Sequence, residues 1–250
     1  GGFGGKETQA AQWACIAALL ASRNQCAVKL RLPRFTDMHV TGKRHPFENE
    51  FDVAFDGTGK IEATRMTING ICGHSPDLSD AIVDRAMFHA DNGYFLGDSD
   101  IVGHRLQTNM VSHTAYRGFG GPQGMIMAEA MIDKIARAIG SDPLSVRKRN
   151  LYGPTTGSFT PYGMKVEHNL LPDMIAELEE TAQYWQRREA IAAFNRESPV
   201  IKKGLALTPV KFGISFTAKH LNQAGALVHI YTDGSIQVNH GGTEMGQGLH

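Results

Sequence analysis

Glycine is clustered in this chain, and the clustering limits what the chain can become. Four glycines fall in GGFGGKE (residues 1–7), four in AYRGFGGPQG (115–124) and four in GGTEMGQGLH (241–250). Glycine takes positive φ without strain and lets a backbone come close to a neighbour, so each block reads as a tight loop. The total is 28 of 250 residues, against an average usage near ~7%. Two of the blocks touch the ends of the chain, where a folded domain needs no such loops. The chain is therefore expected to be a piece of a longer protein.

Between the blocks the pattern alternates. Lys6–Ser22 carries Trp13, Ile16, Leu19 and Leu20 without Pro or Gly, which predicts a well-buried helix. AVKLRL from Ala27 and the two β-type runs around Asp56-Gly57-Thr58-Gly59 predict strands and a hairpin, with the sheet packed on that helix. Helical spacing of Leu78, Ile82, Ala86 and Met87 puts Arg85 and His89 on one face. Pro122 opens a further helix that Gly140 ends, and Ser141 or Asp142 caps a short one. After a Gly/Pro/Ser/Thr-rich stretch, one long amphipathic helix is expected over 171–194. Strands follow over 203–216, 224–232 and 235–242, the last two joined at Asp233-Gly234. The fold class is α+β. Residues 1–152 form a first subdomain, 153–165 a linker and 166–250 the start of a second, both subdomains incomplete.

Charge excludes some functions. Lys and Arg number 25 and Asp and Glu 25, with no basic run beyond three residues, so neither nucleic acid nor a membrane surface has electrostatic support. No apolar run approaches the ~18 residues of a membrane span. Cys15, Cys26 and Cys72 show no paired spacing, which predicts buried thiols in a reducing, cytoplasmic setting. The 11 histidines form no HxH or HExxH pattern, so no metal held directly by side chains is expected.

The chemistry must then lie in the loops. GGFGGKE suits either a plain turn or a loop over a cofactor oxygen, and Glu7 either serves the helix dipole or reaches a ligand. In AYRGFGGPQG, Arg117 and Phe119 place a cation and a ring on a glycine turn, where ordering both costs entropy without adding core. A flat aromatic substrate would use both. Phe212 and Phe216 share one face of their run, as core or as part of a site, and Gln247 offers an amide between two glycines.

Taken in order, these segments closely resemble the cofactor-binding region of the molybdenum hydroxylase family. RHPF (44–47), LSDAIVDRAMFH (78–89), VRKRNLY (146–152) and LNQAGALVHIYTDGS (221–235) extend the resemblance over essentially the whole chain. It implies molybdenum bound through the dithiolene of a molybdopterin, hydroxylation of an electron-poor ring carbon, and electrons leaving through 2Fe-2S clusters and FAD to NAD. FAD and the clusters would sit on other domains or on a partner subunit, in a dimer or heterotetramer.

Position by position, the resemblance gives Phe3, Gly4, Arg117, Met245, Gly246 and Gln247 to the cofactor. Glu7, Arg85, Phe119, Phe216 and Thr217 go to the substrate. Glu7, Arg85 and Arg117 are the implied catalytic set. The Glu7/Arg85 pair points to purines, hypoxanthine and xanthine oxidised to urate, over the aldehydes taken by relatives that generally lack it. Other N-heterocycle hydroxylases and a non-catalytic cofactor-binding relative are the alternatives. The family's catalytic glutamate belongs to a motif downstream of GQGLH, so the 250 residues are not expected to turn over substrate alone.

Overall fold

The computed structural model describes residues 3–5, 7–217 and 219–249. Gly1, Gly2 and Lys6 of the first glycine loop, together with Ala218 and His250, lie outside the described residues.

The centre is a mixed three-stranded sheet. Strand β1 (Phe47–Phe55) pairs antiparallel with β2 (Ile61–Gly73) through the predicted hairpin, whose Asp56 side chain accepts from the backbone N–H groups of Thr58 and Lys60. Strand β3 (Asp98–Gln107) pairs with β2 in parallel, reached through helix α3 (Ser79–Phe88). β3 lacks apolar alternation because it is an exposed edge, so its sequence, DSDIVGHRLQ, carries no strand signal. Helix α4 (Gly121–Ile139) lies against α3 and β1 and brings Met127, Ala128, Met131, Ile132, Ile135 and Ala136 into the core beside Met66 and Ile68 of β2. Helix α5 (Pro143–Asn150) follows, capped by the Asp142 side chain on the Leu144 N–H at 2.8 Å, as its sequence predicts.

Several expectations fail for physical reasons. Helix α1 (Ala11–Asn24) forms but is not buried: no residue of it is, and Leu19 is 59% exposed. The sheet is covered by α3 and α4 and not by α1. Cys26–Leu32 is irregular, and a short helix α2 (Arg34–Val40) follows Pro33 instead of a strand. Cys15 and Cys26 are exposed, and only Cys72 is buried. The long helix divides into α6 (Leu171–Thr181) and α7 (Tyr184–Glu197) at Gln183, whose φ is 51°. That break lets the buried Tyr184 donate to Asp142 at 3.0 Å.

Residues 203–216 are extended but join no ladder. Leu205, Leu207, Pro209 and Lys211 turn inward alternately, and the backbone groups of Leu205, Pro209 and Lys211 bond to the side chains of Arg188 and Asn92. Strands β4 (Ala226–Ile230) and β5 (Ile236–His240) form the hairpin expected at Asp233-Gly234, with all ten residues exposed.

Candidate functional site

The site begins with the way α4 meets α3. A side chain at Gly120 would run into the Ile82 carbonyl, and one at Gly124 into the Ala86 carbonyl. These two glycines therefore set the distance between the helices, and Gly120 further needs its φ of 92° to start α4. The close approach brings the 115–119 loop beside Arg85. Phe119 itself is held at φ 48°, a left-handed conformation that costs a non-glycine residue roughly 1–2 kcal/mol. Strain of that kind persists where surrounding contacts over-determine it.

Arg85 is 4% exposed. Its terminal nitrogens donate to the carbonyls of Gly213 and Ser215, and its carbon lies 5.6 Å from the Phe119 ring centre and 5.4 Å from that of Phe212. Its Nε has no partner among the described residues. Burial lowers the guanidinium pKa, but an arginine starts so high that it stays a cation. Phe119 and Phe216 are tilted against each other with centroids 5.5 Å apart.

A cavity of about 520 Å³ opens beside this charge, lined among others by Arg85, Tyr162, Phe212, Phe216 and Thr217. Thus Arg85, Phe216 and Thr217 come together on one cavity, and Phe119 meets Arg85 and Phe216 without lining the space. Glu7 is not brought to them. It is exposed, in a turn ahead of α1 and not in the helix's first turn, and it does not line the Arg85 cavity.

The glycine loops meet on the other side of the 115–119 turn. The Arg117 N–H donates to the Phe3 carbonyl at 2.6 Å, and its guanidinium donates to the carbonyls of Gly246 at 3.0 Å and Met245 at 3.4 Å. Gly4, at φ 118°, leaves only 3.2 Å from a Cβ to the Ala115 carbonyl, and a Cβ on Gly246 would press on both Arg117 and the Phe3 ring. Gln247 accepts from the Met245 N–H and donates to the Thr243 carbonyl at 2.7 Å. Three loops from distant parts of the chain thus present bare main chain around one point.

A model of the molybdopterin cofactor-binding domain matches residues 1–151, and a second model of the same description matches 177–250. The chain belongs to the molybdopterin cofactor-binding domain family. It is 44% identical over all 250 residues to a xanthine dehydrogenase of Dictyostelium discoideum and 45% identical to a xanthine dehydrogenase/oxidase of Mus musculus. It spans 18% and 19% of those two proteins. An aldehyde oxidoreductase from Desulfovibrio gigas superposes with a TM-score of 0.60 at 26% identity, covering 79% of this chain and 21% of that one. A CO dehydrogenase from Oligotropha carboxidovorans, at 18% identity and a TM-score of 0.63 over 73% of this chain and 23% of that one, shares the fold.

The residues present fit such a cofactor. The glycine cradle offers main-chain groups at close range. Two residues at or behind the cavity, Asp91 and Lys211, stand out in no sequence motif. Asp91, 1% exposed, accepts from the Tyr152 hydroxyl at 2.6 Å and from Lys211, and burial raises its pKa. Lys211 lies over the rings of Tyr152 and Tyr162. HADNGY and VKFG contain these groups, and a charged or amide residue inside an otherwise apolar stretch was the available signal. No helix among the described residues is long and apolar enough to cross a membrane.

Proposed function

We propose that this chain is part of the molybdenum subunit or domain of a xanthine dehydrogenase, hydroxylating hypoxanthine and xanthine. The observation that carries it is Arg85: a buried cation beside two aromatic rings on the wall of a cavity of about 520 Å³, which has room for a flat heterocycle. When bound, the molybdopterin supplies the oxygen transfer and the two-electron sink. A purine ring gains negative charge as oxygen adds to it, and Arg85 stabilises that charge more than it stabilises the ground state. Phe216 holds the ring flat with Phe119 packed behind it, and Thr217 is a hydrogen-bonding neighbour. Phe3, Gly4, Arg117, Met245, Gly246 and Gln247 hold the cofactor, Arg117 by locking two loops together.

The same reading assigns 2Fe-2S clusters, FAD and NAD as the onward electron path, on other domains or a partner subunit, in a dimer or heterotetramer. The three unpaired cysteines support a cytoplasmic setting, and the two family models, over 1–151 and 177–250, support two cofactor-binding subdomains divided at 153–165. Similarity to aldehyde oxidoreductases favours an aldehyde substrate as the second reading. In the full-length enzyme, Arg85→Met should lower xanthine turnover by orders of magnitude with molybdenum content intact. An unchanged kcat/KM for xanthine would overturn the assignment.

A further inference from the structure

Residues 209–215 run alongside the end of α3 with no neighbouring strand, and side chains take the place of one. Asn92 donates to the Pro209 carbonyl at 3.0 Å and accepts from the Lys211 N–H at 3.1 Å. His89 Nε2 accepts from the Gly213 N–H at 2.9 Å, and Arg85 donates to the carbonyls of Gly213 and Ser215. Every second residue is therefore tied, in the register a β ladder would use.

His89 occupies a particular place in this lacing. Its Nδ1 lies 2.7 Å from the Arg85 backbone carbonyl, one turn back on α3, which needs a proton on Nδ1. Its Nε2 then has a lone pair to offer Gly213, whose own carbonyl receives the Arg85 guanidinium. Main chain of Arg85, imidazole, Gly213 and side chain of Arg85 close a ring of hydrogen bonds. The Phe212 ring lies 4.8 Å from the imidazole and stiffens the same segment.

We propose that neutral His89 is a positioning residue for Arg85. It fixes Gly213, and with it the carbonyl platform that aims the guanidinium at the substrate. This rests on the reading of Arg85 as the purine-facing cation. Without the clamp the guanidinium keeps its charge but loses its place, and misplacement by an ångström is costly in catalysis. An aldehyde carbonyl, which does not spread charge over a ring reaching Arg85, should be affected far less.

The test compares full-length wild type, His89→Asn and His89→Gln, each loaded with cofactor. Asn reaches only the near position and leaves the Gly213 N–H without an acceptor, whereas the Gln Oε1 falls where Nε2 was. In His89→Asn, hydrogen exchange of the Gly213 amide should quicken about tenfold. The kcat/KM for xanthine should fall about tenfold or more while that for benzaldehyde moves less than about threefold. Gln should restore both. Equal losses on the two substrates, or xanthine kinetics and exchange at wild-type values, or no rescue by Gln, would overturn the proposal. If wild type fails to oxidise xanthine, the functional reading falls, and the exchange comparison still decides whether His89 clamps Gly213.

Discussion

Two regions of the chain are held together by different physics. Residues 47–150 enclose an apolar interior in which Met66, Ile68, Met131 and Ile132 are fully buried between sheet and helices. Residues 201–217 contribute few core side chains and no ladder, and are held by individual side-chain bonds to Arg85, His89 and Asn92 and by the Lys211–Asp91 contact. Burial is additive and forgiving of position, whereas a lone hydrogen bond contributes about 1 kcal/mol and fixes one atom. The first region supplies stability and the second supplies aim, so damage to each should appear in a different measurement.

The largest stability loss should come from the first region. Ile132→Ala removes a side chain that is 0% exposed and leaves a cavity, which costs about 3 kcal/mol. Denaturant unfolding of the full-length protein measures this, and the folded fraction should keep wild-type kcat for xanthine. A fall in kcat without a fall in stability would break the division between the regions.

A somewhat smaller effect follows from acidification. His45, 3% exposed and 2.7 Å from the Ser79 hydroxyl, is pushed down to about 4, first by burial and then by the charge of His113, against opposing pulls from the Thr114 backbone and Asp77. The folded state therefore holds the neutral ring, while the unfolded chain takes a proton below about 6.5. This contribution is fully present above pH ~6.5 and is lost as the pH falls towards 4, on the order of 2–3 kcal/mol. Melting temperature followed from pH 7.5 to 4.5 should drop in wild type and drop less in His45→Gln. Parallel curves would remove His45 from the account.

How much of this the sequence discloses depends on the same contrast. Elements that bury one face, such as α3, α4 and the β1–β2 hairpin, repeat with a period that reads directly. The edge strand β3 buries too little to repeat, and Gln183 breaks a helix whose composition runs on unbroken. The second glycine block was legible as a loop, but its use in seating α4 on α3 depends on Ile82 and Ala86, thirty or more residues away. Arg85, Phe216 and Thr217 follow from resemblance and meet in space; helical spacing puts His89 on the face of Arg85, whereas its bond to Gly213 and the Asp91–Lys211 contact join segments over a hundred residues apart. Glu7, placed with Arg85 by resemblance, stands apart from it on an exposed turn.

The smallest stability change should come from the residue that joins the two regions. Phe119 is half-buried, meets Phe216 from the second region and Arg85 from the first, and holds φ 48°. Removing its ring in Phe119→Ala should cost about 1–2 kcal/mol of stability, since an aromatic pair is worth roughly 0.5–1.5 kcal/mol beyond area, and should weaken purine binding about tenfold by loosening Phe216. Phe119→Gly separates ring from backbone: it lacks the same contacts but sheds the left-handed penalty, so it should be about 1 kcal/mol more stable than Phe119→Ala. Binding in the two variants should nevertheless be equally weak. A stability loss in Phe119→Ala beyond ~2 kcal/mol with purine affinity unchanged would make the ring a core residue, and the strained backbone would then serve packing instead of recognition.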